Sequence, residues 1–223
     1  RVLYLPAMHG LRNELLPLLK TYAEAGGRLV LDLPGAGFDE FARVRRTGKG
    51  SPFEQLFGAT LDDFQYAGTN RAVRLEGDTL RGFTMRATPT TARILARYDG
   101  GQPAVLENSL GRGRAVLLGY EAALGCAKPG HAGREARLLG YALGGIRPSF
   151  RCEGAVAYRL ASPEADHYFF LNDGGNRTVR FSADQPYRAW TDAITGESLA
   201  VGQPIRVEGH SGRWVRMEKR TKD

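Results

Sequence analysis

Cysteine is nearly missing from this sequence: Cys126 and Cys152 are the only two in 223 residues. That is too few for a disulfide framework, and their spacing fits no zinc-ligand pattern. A reducing compartment, hence the cytoplasm, is the expectation. No apolar run approaches the roughly 18 residues of a membrane span, and no basic segment leading into an apolar one marks a signal peptide. The four histidines, His9, His131, His167 and His210, show no ligand spacing, so neither a metal nor a cofactor is expected. Lysine is scarce as well, with five against 26 arginines.

What is present is an ordinary globular composition, 42% hydrophobic and 25% charged, with enough length for one medium domain or two small ones. That length excludes a barrel enzyme carrying accessory domains. The formal charge of +7 raises the question of nucleic acid. The densest basic run is only Arg43-Val44-Arg45-Arg46 followed by Lys49, in a glycine-bearing loop. Elsewhere arginines alternate with apolar residues, as in Arg93-Ile94-Leu95-Ala96-Arg97-Tyr98, which places them on the solvent face of a sheet. No nucleic-acid partner and no membrane partner is therefore expected.

The chain opens on Arg1-Val2-Leu3-Tyr4-Leu5-Pro6, an apolar strand, which points to an excised or trailing part of a longer protein. Leu11, Leu15, Leu16, Leu18, Leu19, Tyr22 and Ala23 then recur at helical spacing. Gly26-Gly27 stops that helix, and Arg28 to Leu33 follows as a second strand, making a strand, helix, strand unit with a parallel pair. An irregular stretch from Pro34 to Ser51 precedes a short helix opened by Pro52. From Arg71 the pattern becomes a meander of short strands, and the apolar run Arg114 to Tyr120 reads as a strand rejoining the parallel sheet. A helix from about His131 to Leu143 closes this part, and Arg147-Pro148 marks a boundary. Beyond it, alternating segments separated by turn clusters predict a small antiparallel β-sandwich.

Few residues carry chemistry. Gly35-Ala36-Gly37 follows a strand, but a dinucleotide fingerprint needs a third glycine where Glu40 stands, and Gly111-Arg112-Gly113 joins two strands as a hairpin turn. Cys126, with His131 five residues on, sits where a nucleophile can be raised between strand and helix, yet Gly125-Cys126-Ala127-Lys128 lacks the second glycine of a nucleophile elbow. A degenerate Cys-dependent hydrolase remains a third reading on that ground. Cys152 has only Glu153 beside it. Glu107 and Glu121, on or just beyond adjacent predicted strands, are the one carboxylate pair to test against the spacing of about 5 to 10 Å that glycoside hydrolysis requires.

The assembled pattern resembles a known arrangement. Tyr22-Ala23-Glu24-Ala25-Gly26-Gly27-Arg28-Leu29-Val30, the Phe57-Gly58 step, and the stretch from Ala92 to Tyr120 are similar to the trimerisation domain of family-42 beta-galactosidases. The resemblance implies a class I glutamine-amidotransferase-like (flavodoxin-like) α/β domain over residues 1–147, without its nucleophile, followed by a small antiparallel β-sandwich over residues 148–223. It further implies that the catalytic carboxylates lie in a barrel outside this sequence, so none is carried onto these residues. The function implied is a non-catalytic region that brings glycosidase barrels together, in a homotrimer.

Large apolar and planar groups in a long loop mark contact surfaces, which makes Phe38, Phe41, Arg45 and Arg46 the candidate interface; local packing under the loop is the competing reading for Phe38 and Phe41. The alternative function is a stand-alone carbohydrate-binding module that stacks sugars on Tyr187, Trp190 and Trp214, against which stands the frequent core role of a strand tryptophan.

Overall fold

A computed structural model describes residues 1–35, 37–67, 72–122 and 132–220. The chain divides into two units, Arg1–Ile146 and Arg147–Asp223.

The first unit is built on a five-stranded sheet. Strand β1 (Val2–Leu5) pairs in parallel with β2 (Arg28–Asp32), and helix α1 (Leu15–Glu24) makes the connection. All five residues of β2 are buried, as a strand covered on both faces requires. Helix α2 (Pro52–Phe57) shows how local sequence fixes a boundary. The Ser51 hydroxyl accepts the Glu54 N–H at 3.1 Å, Pro52 occupies the first turn, and Gly58 closes the helix in the left-handed conformation.

Six strands follow. β3 (Ala59–Ala67) pairs antiparallel with β6 (Gly82–Pro89), and β4 (Val73–Leu75) with β5 (Asp78–Leu80) through a Glu76-Gly77 turn in which both residues have positive φ. β7 (Arg93–Arg97) and β8 (Pro103–Leu110) add to the main sheet antiparallel. β9 (Gly113–Leu118) inserts beside β2 in parallel, as its unbroken apolar run leads one to expect. The sheet order is β1-β2-β9-β8-β7, and helix α3 (Ala132–Leu143) follows.

Alternation along β2 and β9 divides the core. Leu29, Leu31, Ala115 and Leu117 pack with Leu16 of α1 and Phe53, Leu56 and Phe57 on one side. Val30, Val116 and Leu118 pack with Leu75, Leu80, Leu138 and Ala142 on the other. Each such leucine removed from water contributes on the order of 2 kcal/mol. On α1 the apolar stripe is wider than the face it buries: Leu16 and Ala23 are inside, while Leu18 is 63% exposed.

This architecture overturns the flavodoxin-like α/β expectation, and the amidotransferase-like description with it. The protein is about 50% strand and 12% helix, with three helices among the described residues and mostly antiparallel pairing. A doubly wound sheet needs a helical crossover for each parallel strand. Between β2 and β9 the chain supplies one six-residue helix and six strands, so only β1, β2 and β9 run parallel.

The second unit contains two antiparallel sheets. One is ordered β10 (Phe150–Glu153), β13 (Arg177–Ala183), β16 (Ile205–Val207). The other is ordered β11 (Val156–Ala161), β12 (Ala165–Asn172), β17 (Ser211–Lys219), β14 (Tyr187–Asp192), β15 (Ser198–Leu199). Their inner faces share one core, with Tyr168, Phe170, Trp190, Val215 and Met217 from one sheet and Val179, Phe181, Ile205 and Val207 from the other.

Candidate functional site

Three places in the first unit gather the residues that sequence reasoning singled out. The first is the loop after β2. Beyond Asp32 the chain turns tightly, with the Gly35 N–H donating to the Asp32 carbonyl at 2.8 Å, and a side chain at residue 35 would collide with that carbonyl. Phe38 then bridges Gly10 on one side and Val44 on the other, and its ring meets Phe64 edge-on at 5.7 Å. That ring belongs to a row of aromatic contacts running through Phe83 to Tyr66.

The loop tip is held from within. The Asp39 carboxylate accepts the N–H groups of Phe41 and Arg43 at 2.9 Å each, bonds that hold its carboxyl below the usual range. Arg45 is buried, and its guanidinium donates to the carbonyls of Leu11 and Phe38 and to the side chain of Asn13. Burial lowers the pKa of that guanidinium, while Asp39 and Glu40 oppose the shift. Arg45 thus ties the loop to the segment that enters α1.

What this clamp presents to solvent is apolar. Phe41 is 68% exposed under the Arg43 guanidinium, which lies 5.1 Å from the ring centroid, and Val44 is 75% exposed. Arg46 is exposed, with a single 3.4 Å bond to the Lys49 carbonyl. The adjoining helix α1 exposes Leu15 and Leu18. Of the four candidate interface residues, Phe41 and Arg46 therefore face water, Phe38 is half-buried against Phe64, and Arg45 is an internal anchor. Val44 and Leu18 were not singled out from the sequence. Val44 sits inside a basic run, and the other leucines of α1 make Leu18 look like core.

The second place is the carboxyl end of the parallel strands. Asp32 is fully buried and accepts from the Tyr4 hydroxyl at 2.7 Å, from the Ala122 N–H at 3.1 Å and from the Ala7 N–H. Burial pushes its carboxyl up, and these three bonds offset only part of the rise. Glu121, nearby, is pushed up by its own burial and by Asp32, while the Phe83 N–H and His9 act against the shift. Cys126 and His131 lie outside the described residues.

The third place is the amino end of β2. Glu107 pairs there with Arg28 at 2.8 Å and Arg93 at 2.9 Å, and although burial opposes it, these guanidinium partners hold the carboxyl below the usual range. Because Glu107 stands opposite Val116, Glu121 lies five residues further along the chain, on the order of 15 Å away at strand spacing. That exceeds what either glycosidase geometry uses. The two carboxylates are not brought together.

Gly111-Arg112-Gly113 is the turn between β8 and β9. Among the described residues no cluster of histidine, cysteine and carboxylate is arranged to hold a metal. No described helix is long and apolar enough to cross a membrane.

In the second unit the three candidate stacking residues part company. Trp190 is 4% exposed and meets Phe181 at 5.9 Å within the core. Tyr187 is equally buried, its hydroxyl 2.6 Å from Asp166 and 3.0 Å from the Tyr168 hydroxyl. Trp214 has the opposite parity and stands on the outer face, stacked on Phe169 at 5.2 Å, with its indole N–H donating to His167 Nδ1 at 3.1 Å. The thiol of Cys152 is half-buried and its pKa is pushed up by that burial.

The model of one protein family, described as the beta-galactosidase trimerisation domain, matches residues 1–128. No curated protein matches the chain. Among solved structures, a beta-galactosidase from Bacillus circulans sp. alkalophilus superposes with a TM-score of 0.71 at 14% identity, over 97% of this chain and 33% of that one. A catalytic mutant of Gan42B, a GH42 beta-galactosidase from G. stearothermophilus, gives 0.66 at 19% identity over 97% and 31%. A beta-galactosidase from Rahnella sp. gives 0.66 at 16% identity over 96% and 32%. At these identities the likeness is one of fold, and it runs through both units. The chain spans about a third of the length of these proteins.

Proposed function

The chain belongs to the beta-galactosidase trimerisation-domain family, and from that premise we propose that it is a non-catalytic accessory region whose first unit self-associates, as a homotrimer, on behalf of a beta-galactosidase-like glycoside hydrolase. The observation that carries this reading is the apolar loop tip. Phe41 and Val44 are exposed, yet the backbone beneath them is fixed by Asp39 and by the buried Arg45. A rigid apolar projection loses little entropy on docking, which favours association. Leu18 and Arg46 extend the same proposal to α1 and to the far end of the loop.

Two further observations support the non-catalytic part. Glu107 is held by two arginines, and Glu121 lies beyond the reach that a carboxylate pair requires. The sandwich of the second unit accompanies the first as part of the same accessory region. A cytoplasmic setting is proposed from the two cysteines alone.

Sedimentation velocity tests the proposal. The chain is expected to form trimers in the micromolar range, and Phe41→Glu with Val44→Glu is expected to weaken association at least about 100-fold while the far-UV circular dichroism spectrum stays that of the folded chain. A wild-type chain that stays monomeric up to about 100 µM overturns it.

A further inference from the structure

The outer face of the larger sheet in the second unit carries a hollow that the self-association reading does not use. Register places Val156, Leu171 and Gly212 in one row across β11, β12 and β17, and Tyr158, Phe169 and Trp214 in the next. Where the first row reaches Gly212 there is no side chain, and a Cβ there would stand 2.9 Å from Leu171. Beside Gly212, where the Leu171 side chain leans into the space a Cβ would take, Val156, Tyr158, Leu171, Asp173, His210 and Ser211 line a shallow, open depression of about 510 Å³.

The wall is built rather than draped. Asn172, 5% exposed, donates to the carbonyls of Gly175 and Glu208 at 2.8 Å each and accepts the Gly174 N–H at 3.1 Å, so one buried amide joins both loops of the wall. His210 sits at φ 50°, a conformation disfavoured for a side-chain-bearing residue, and its N–H is bonded to the Gly174 carbonyl at 3.0 Å. His210 lines the depression beside Asp173. The Asp173 carboxylate, the His210 imidazole and the Tyr158 hydroxyl make no hydrogen bond or ion pair among the described residues, while Tyr158 is 59% exposed.

We propose that this hollow, formed by Tyr158, Leu171, Asp173 and His210, is a binding site for a neutral hexose-containing saccharide. The chemistry follows from the two halves of the pocket. A pyranose ring offers a C–H face that packs on an aromatic ring and an aliphatic floor, and a rim of hydroxyls that a carboxylate and an imidazole can bond in pairs. The unpaired Asp173 disfavours acidic sugars. A protein partner would need about 800 Å² of matching surface, against which a hollow of this size is small. The reading stands apart from self-association, which rests on Phe41 and Val44 of the first unit.

Calorimetric titration of the full chain with lactose, β-1,4-galactobiose and cellobiose tests it. Saturable binding to at least one is expected, with a Kd in the range of about 0.1 to 5 mM. Tyr158→Ala and Asp173→Ala should each weaken it about tenfold or more with an unchanged melting temperature, whereas Phe41→Glu should leave it intact. The proposal fails if none of the three saturates by about 50 mM, if both pocket variants bind as the wild type does, or if glucuronate binds more tightly than glucose. It also fails if Tyr158→Ala lowers the oligomeric state, which would make the hollow a subunit contact.

Discussion

Arg28 and Glu107 form a 2.8 Å ion pair that reaches across the intervening strand β9, with each side chain only about a tenth exposed. Arg28 also donates to the carbonyls of Ala142 at 2.7 Å and Tyr141 at 2.9 Å, capping the last turn of α3. One guanidinium thus joins β2, β8 and α3. Removing a single partner of a buried pair leaves an uncompensated charge, so Glu107→Gln is expected to cost about 3 kcal/mol in urea unfolding. Arg93 bonds the same carboxylate, but its side chain is 73% exposed, and Arg93→Ala should cost no more than about 0.5 kcal/mol. Equal costs for the two variants would refute the structural role given to Arg28.

The clamp on the loop after β2 makes a different prediction. Arg45 is buried, and its guanidinium fixes both the loop and the entry to α1 through Leu11, Asn13 and Phe38. Arg45→Ala removes the side-chain donor of the buried Leu11 carbonyl, while the Phe38 carbonyl keeps the Leu11 N–H, and is expected to destabilise the first unit by about 2 kcal/mol. It should also speed amide exchange across residues 38–45 and weaken association in parallel. Arg46→Ala should do none of these, since Arg46 makes one long bond at the surface. Unchanged exchange in the Arg45 variant would show that the loop is held by something else.

How much of this was legible in the sequence depended on whether a signal was local. Ser51, Pro52 and Gly58 fix α2 through three neighbouring positions, and the apolar run of β9 announces a strand buried on both faces. Strand β3 was not legible, because a bulge between Leu61 and Asp63 breaks the alternation that identifies a strand. The flavodoxin-like expectation failed for a related reason. β1, β2 and β9 do run parallel, but the edge of the sheet is completed by β7 and β8, and strand direction is a property of pairing that composition does not carry. The tryptophans show the same limit. Trp190 and Trp214 both lie on alternating strands, and register alone turns one into the core and the other onto the outer face. Likewise no periodicity distinguishes a loop arginine that is a buried anchor, Arg45, from one that is exposed at the surface, Arg46.

Acid should act on the second unit through Asp166. This carboxylate is fully buried with Tyr187 at 2.6 Å, Arg159 at 2.7 Å and Lys219 at 3.1 Å. Burial pushes its carboxyl up, but the Tyr187 hydroxyl and the two cations outweigh that and hold it below the usual value. A carboxyl lowered in the folded state binds its proton first in the unfolded chain, so its stabilisation is complete near neutrality and drains away as pH falls through about 4 toward the folded value. The melting temperature of the second unit is expected to decline below about pH 5. Asp166→Asn should lower it at pH 7 and flatten that decline, with Asp192, also lowered, carrying part of the remaining slope. An Asn variant with the full wild-type acid dependence would contradict this assignment.

The turn between β8 and β9 makes the sharpest steric prediction. Gly113 lies where that hairpin runs over the end of α1, and a Cβ there would fall well inside contact with the carbonyl oxygens of Ala23 and Gly27. The same backbone is pinned by hydrogen bonds from the Arg112 N–H to Glu24 and the Arg114 N–H to Gly27, each 3.0 Å, so it cannot retreat without breaking the seam between α1, β2 and β9. Backbone oxygens do not rotate aside as a flexible side chain does. Gly113→Ala is therefore expected to cost about 3 kcal/mol or more, enough to leave much of the chain unfolded at 37 °C. Gly48 provides the control, since nothing lies within 4 Å of a Cβ at that position, and Gly48→Ala should be neutral to slightly stabilising through the unfolded state. Chemical denaturation of the two variants side by side decides the matter: similar midpoints would mean that the hairpin yields, and that the close approach of Gly113 to α1 does not restrict the fold.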